Sequence, residues 1–296
     1  MTLNLKRQIQ NRLTFLIFLL PAVLWLVFFF LLPLVIVLAY SLLGQDIGGG
    51  VIWQFTLENY QRLSQGLYLG IIWRSLWLGF ISTLVCLLIG YPLAFLLVKQ
   101  PRHWRNALLL LIIIPFWTNF LVRTYAWIVL LRREGVINTL LTSVQIIDKP
   151  LDLLFTPLAV AIGLIYGYLP FMILPIYSSL ERFDFKLVEA ARDLGANDLK
   201  AFWRVVFPLT LRGIVAGCLL VFIPSVAAFI TPDILGGAKT MMVGNLIQNQ
   251  FLKSLNWPFG SALSMILIGM ILVPMMVYFS LIGDQLGATS AKGDRS

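Results

Sequence analysis

Six apolar runs dominate this sequence, each long enough to cross the roughly 30 Å hydrocarbon core of a bilayer as a helix. They cover about residues 13–43, 74–98, 106–131, 157–180, 213–230 and 259–282. Hydrophobic residues make up 59% of the chain and charged residues 12%, whereas a soluble domain carries about a quarter charged. The chain is therefore an all-α integral membrane protein with six transmembrane helices. The first run exceeds the roughly 7–15 apolar residues of a secretory signal, so it is expected to stay as a span, bent or offset by Pro21 and Pro33. The organisation that follows is a polar segment at 1–12, one transmembrane domain at 13–282 and a tail at 283–296.

The charge of +9 is spread by loop and is not gathered into a nucleic-acid patch. Of the 22 Lys and Arg residues, three precede the first run, three lie between the second and third, six lie at 181–212 and two lie in the tail. Cytoplasmic loops carry the excess of basic residues, so both termini and the 181–212 loop are expected in the cytoplasm. Cys86 and Cys218 sit inside apolar runs and read as small hydrophobes. His103 is the only histidine, which excludes a His-based metal cluster and leaves a Ser-His-Asp site nothing else to use.

The passage from Glu181 to Arg212 is the one long charged stretch. Leu187, Ala190, Ala191 and Leu194 recur at helical spacing and make one side small and apolar, with Glu189, Arg192 and Asp193 on other sides. Gly195 supplies a stop, since glycine takes the left-handed conformation without steric cost. Asn197 and Asp198 read as cap and first-turn acid of a second short helix striped by Leu199, Phe202, Val205 and Val206, which Pro208 is expected to end. Two short helices hinged at a glycine form a stiff knuckle.

In spacing, Glu189-Ala190-Ala191, Gly195, Val205 and Phe207-Pro208 resemble the Glu-Ala-Ala loop of permease subunits of ATP-driven (ABC) importers. Valine and phenylalanine replace the usual isoleucine and leucine, and Arg212 stands where proline is common. The resemblance implies that Glu189, Ala190, Ala191, Arg192, Asp193 and Gly195 form the coupling helix that docks into a cytoplasmic ATPase.

Polar groups inside the spans are costly unless paired or hydrated, and Thr118-Asn119 with Arg123-Thr124-Tyr125 are such groups. Arg123 either faces a cavity or partner subunit or snorkels to the interface. The fourth run carries Gly163, Tyr166, Gly167, Tyr168, Pro170 and Pro175, and the fifth carries Pro224 and ends at Thr231-Pro232-Asp233. Breaks expose carbonyls that only protein or a water-filled cavity can serve. Trp117, Asn119, Arg123, Tyr125, Tyr166 and Asp233 are the candidate path residues. Aromatic faces and one acid suit a cation, which gains up to about 2 kcal/mol over a desolvated ring.

The stretches 115–127, 171–180, 232–239 and 257–260 are similar to the B-type permeases of spermidine/putrescine ABC importers, a likeness running from the second span to the sixth. It implies the type I importer permease fold, a homologous permease partner, two cytoplasmic ATPases and an extracytoplasmic solute-binding protein. It further implies polyamine cargo, a bacterial inner-membrane location, no cofactor bound by this chain and ATP-Mg on the partner subunits. The alternatives are an importer of another small organic solute, or a stand-alone secondary transporter. The latter usually shows inverted repeats and an intramembrane acid; no repeat is evident here and Asp233 lies at a span end. A membrane enzyme would need a nucleophile-base pair or metal cluster that the chain does not offer.

Overall fold

The computed structural model describes residues 19–46 and 50–293. The expected polar N-terminal segment, most of the Gly48-Gly49-Gly50 turn and the last three residues lie outside that range. Two compact units are present. One holds residues up to 64 together with 249–266, and the other holds 65–248 and 267 onward. Among the described residues, five helices are long and apolar enough to span a membrane, and six if one bent pair counts as a single span.

In the first unit, α1 runs Leu19–Ser41. Its turn at Val27–Leu31 is widened to a π-helix, with the Leu32 N–H donating to the Val27 carbonyl. Pro33 follows directly, and a proline ring clashes with the carbonyl four residues back in a regular helix; the wide turn moves that carbonyl aside. The connection that follows α1 contains a small antiparallel hairpin, β1 (Leu43–Gln45) and β2 (Val51–Phe55), and a short helix α2 (Glu58–Leu63). Asn59 staples the connection: its Nδ2 donates to the carbonyls of Ser41 at 3.1 Å and Leu43 at 2.8 Å.

The second unit contains α3 (Gly66–Lys99), α4 (Arg102–Trp117), α5 (Phe120–Leu131), α6 (Val136–Ser143), α7 (Pro157–Glu181), α8 (Lys186–Asp193), α9 (Asp198–Val226) and α10 (Ile230–Gly236). Helices α11 (Val243–Leu252) and α12 (Trp257–Gly293) follow and are shared between the units. The tail expected to begin at 283 is thus helical as far as 293. Helices α3, α7 and α9 pack on one another around Cys86, Ala94, Leu97, Met172, Ile176, Leu180, Ile214 and Val221. At the crossing of α7 and α9, a Cβ on Gly213 would stand 2.5 Å from Ser179 Cβ and 2.6 Å from the Pro175 carbonyl oxygen. Lipid tails supply no hydrophobic drive between helices, so such backbone approach carries the packing.

Two expectations are corrected. Pro208 does not end the helix after Asn197: Phe202–Val206 widens to a π-helix, the Phe207 N–H reaches the Phe202 carbonyl, and the chain runs on through Pro208 to Val226. The device is the one seen before Pro33, and it makes the second half of the knuckle and the fifth span one helix of 29 residues. The third span is not one rod either. Helices α4 and α5 meet at Thr118-Asn119 with a bend of 91°.

Gly213→Val forces α7 and α9 apart and is expected to cost about 1–3 kcal/mol, the usual penalty of overpacking. Thermal unfolding of the detergent-solubilised chain measures it against Gly70→Val, where a Cβ meets nothing within 4 Å.

Candidate functional site

The knuckle between α7 and α9 is built as its residues dictate. Gly195 takes φ +84°, the Gly195 N–H donates to the Arg192 carbonyl at 2.8 Å, and the Ala196 N–H donates to the Ala191 carbonyl at 3.0 Å. This pair of bonds is the Schellman arrangement, which needs the left-handed residue at that position. Asn197 then caps α9, its Oδ1 accepting from the Lys200 N–H at 2.9 Å. Across the turn, Arg192 grips Asp198 through Nε at 2.9 Å and Nη2 at 2.8 Å. Such an exposed pair contributes only a few tenths of a kcal/mol, but its two-armed geometry sets the angle between the helices.

Phe185 and Val188 turn the inner side of α8 toward the bundle, and with Phe95, Lys99, Glu189, Phe202 and Val206 they line a cleft of about 410 Å³. On the side formed by Leu187, Ala190, Ala191 and Leu194, Ala191 is half-buried and the other three are exposed, Leu194 to 90%. Leu199 and Trp203 extend this apolar surface onto α9. Glu189 stands at its edge, and among the described residues none forms an ion pair with it.

The bend at Thr118-Asn119 is the second feature. Ending α4 opens carbonyls that have no helical partner. The Thr118 hydroxyl donates to the Pro115 carbonyl at 2.6 Å and Arg123 Nη1 donates to it at 3.4 Å. Asn119 restarts the chain as the cap of α5, its Oδ1 accepting from the Leu121 N–H at 2.8 Å. The Arg123 guanidinium is fenced by the rings of Phe116, Phe120 and Tyr166, with centroids 5.6, 5.4 and 5.7 Å away. It is a part of the bend, held by rings and by a carbonyl.

Asn119, Arg123 and Tyr166 are therefore brought together. Trp117, Tyr125 and Asp233 are not: among the described residues none of them makes a ring contact or ion pair with that group. Trp117 is 78% exposed at the end of α4, and Tyr125 is exposed on α5. Asp233 is exposed in the first turn of α10, which packs on α5 and α7 through Leu235 with Leu131 and Ala159.

One group escaped the sequence reading. Arg105 Nη1 lies 3.5 Å from Glu181 Oε1, and the Tyr177 hydroxyl donates to the same oxygen at 2.7 Å. Charge counting had spent Arg105 on loop topology. Tyr177 and Glu181 stand four residues apart, hence on one helical face, which was the available signal.

Three packed bilayer-length helices, one span sharply broken and a stiff knuckle between two of the three make a membrane-embedded transport subunit. The chain belongs to the family of binding-protein-dependent transport system inner membrane components, whose pattern matches residues 86–287. It is accordingly a multi-pass inner-membrane transport subunit and not an enzyme. It is 48% identical to the spermidine/putrescine transport system permease protein PotB of Haemophilus influenzae over 255 residues, 86% of this chain and 89% of that one. To PotB of Escherichia coli it is 46% identical, covering 86% and 93%. In fold it matches a chain of a bacterial ABC transporter involved in the import of the acidic polysaccharide alginate, with a TM-score of 0.75 at 16% identity, covering 94% of this chain and 98% of that one. The type I importer permease fold expected from the sequence is the one observed.

Asn119→Ala removes the cap of α5 at the bend and should lower the thermal stability of the purified chain by about 1 kcal/mol. Asn119→Ser, which keeps an acceptor at the cap, should recover most of that loss in the same measurement.

Proposed function

We propose that this chain is a permease subunit of an ATP-driven importer of polyamines, spermidine or putrescine, in the bacterial inner membrane. The observation that carries the reading is the 48% identity to a spermidine/putrescine permease over 86% of the chain. A homologous permease completes the path, two cytoplasmic ATPases holding ATP-Mg lie beneath it, and an extracytoplasmic binding protein delivers the cargo. Both termini and the knuckle face the cytoplasm, a reading supported by the distribution of basic residues.

The knuckle couples the machine. Its open apolar side, Leu187, Ala190, Ala191 and Leu194, suits a cleft on an ATPase, the small alanines allowing close approach and Glu189 offering a charge to a basic group there. Gly195, with Arg192 and Asp198 across the turn and Asp193 ending α8, keeps the knuckle from flexing under load. Since α9 continues from the knuckle into the bilayer for 29 residues, roughly 43 Å of helix, a push at Asp198 moves the far end of that span. Helices α3 and α7 are packed on it and rock with it.

Of the path residues, Trp117, Tyr125 and Asp233 meet the cargo; Asn119, Arg123 and Tyr166 hold the bend that flanks Trp117 and Tyr125, and Asp233 stands apart on α10. Arg123 keeps its charge but is engaged by its rings and the Pro115 carbonyl, which leaves Asp233 as the attractive charge. A second permease contributes the remaining partners of a cargo with several ammonium groups. Weak binding is an advantage in a conduit, because tightly held cargo does not leave.

Uptake of labelled putrescine and spermidine by vesicles carrying the assembled transporter tests the reading, with binding protein and ATP each omitted in turn. Uptake should require both, and a preference for an unrelated solute would sink the cargo assignment. Glu189→Lys should reduce uptake to background while leaving the amount of protein in the membrane unchanged. Asp233→Asn should raise the half-saturating polyamine concentration about tenfold, the loss expected for one charge-assisted hydrogen bond of about 1.5 kcal/mol.

A further inference from the structure

Glu181 is the last residue of α7, where the open carbonyls of the helix make the potential negative and disfavour an acid. Something must offset that, and two groups do: the Tyr177 hydroxyl, donating to Oε1 at 2.7 Å, and Arg105, whose Nη1 stands 3.5 Å from the same oxygen. Arg105 belongs to α4, which contributes no buried residue of its own. Leu108, Leu109 and Ile112 of α4 only rest partly covered on the core. The polar trio is thus a point fixing of α4 to α7, and it lies five residues before the knuckle helix begins at Lys186.

The geometry of the pair is informative. An arginine that binds a carboxylate for keeps does so with two arms at about 2.7–2.9 Å. Here the closest approach is 3.5 Å, and Nε, on a side chain only 20% exposed, is buried with no acceptor among the described residues. A tight, dry, two-armed pair costs several kcal/mol to open and would hold α4 and α7 together through any motion. A loose pair with an unused donor can open and close within a transport cycle.

We infer that Arg105 and Glu181, oriented by Tyr177, are a latch at the root of the knuckle that restrains its motion until cargo is presented. These are positioning residues acting through the knuckle. The inference rests on the importer reading above. When the pair is intact, a push or thermal excursion at Lys186–Asp193 must also part α4 from α7. When the pair is lost, the knuckle moves independently of α4, and the ATPases below cycle without cargo.

The experiment uses the complete transporter in proteoliposomes and reads ATP hydrolysis with and without polyamine-loaded binding protein. A wild-type assembly that loaded binding protein does not stimulate overturns the importer assignment, and this is seen before any variant is measured. Given stimulation, Glu181→Gln and Arg105→Gln are each expected to raise hydrolysis in the absence of cargo about fivefold or more, the span of ordinary coupling between sites. The ratio of stimulated to unstimulated rate should fall accordingly. The exchange Arg105→Glu with Glu181→Arg restores the attraction with reversed ends and should bring that ratio back toward wild type, an effect that repair of folding alone does not produce. Unchanged unstimulated hydrolysis in both single variants overturns the latch. So does a double exchange that accumulates in the membrane like wild type and stays as uncoupled as the singles. Should a single variant fail to accumulate, the exchanged pair alone decides by the same ratio.

Discussion

In lipid a backbone polar group has no water to turn to, so every irregularity in a span must satisfy its own N–H and C=O groups. This chain meets the constraint in two ways. Ahead of Pro33 and Pro208 it widens one turn, so that the amide before each proline reaches one residue farther back and the ring is spared a collision. At Thr118-Asn119 it breaks altogether, and there a hydroxyl, a cap and a guanidinium take over the open ends. The first solution preserves a rod and the second makes a bend. What the molecule can do mechanically follows from which of them stands where.

The widened turn at Phe202–Val206 is the case with most consequence. Had Pro208 ended the helix, the knuckle would hang on a joint and a displacement there would dissipate in the joint. Under the proposed coupling, continuity from Asp198 to Val226 instead makes the knuckle the handle of a lever whose shaft packs on α3 and α7. The Schellman turn at Gly195 and the Arg192–Asp198 clasp stiffen the remaining hinge, the one between α8 and α9.

The parts of this arrangement that are local in sequence were readable from it. Span number follows from run length, and Gly195 and Asn197 mark their turn because the left-handed position and the cap each favour few residue types. The rest depends on relations that hydropathy does not encode. Pro208 read as a terminator because proline usually is one, and the π-turn that rescues it leaves no mark in Phe-Trp-Arg-Val-Val. Thr118, Asn119 and Arg123 stood out as polar exceptions, but their role as a set serving one bend appears only when the Pro115 carbonyl is seen between them. The β-hairpin is not local either: Val51-Ile52-Trp53-Gln54-Phe55 is rich in strand formers, but its short partner Leu43-Gly44-Gln45 carries no strand signal of its own. The contact between Arg105 and Glu181 joins residues far apart in the chain, and no local pattern announces it.

Two of the arginines in the membrane helices, Arg123 and Arg105, make an instructive contrast. Arg123 is spread over three ring faces and a carbonyl, a set of weak contacts that share the charge and leave no single bond whose loss frees it. Arg105 has one acid, approached no closer than 3.5 Å, and a donor left over. The first arrangement suits a residue that must stay put while the bend keeps its angle. The second suits a residue whose partner moves, because a single long bond has a shallow well and can reform in a shifted register. Rigidity at the bend and compliance at the root of the knuckle are what a path that holds its lining while its flanking helices rock requires.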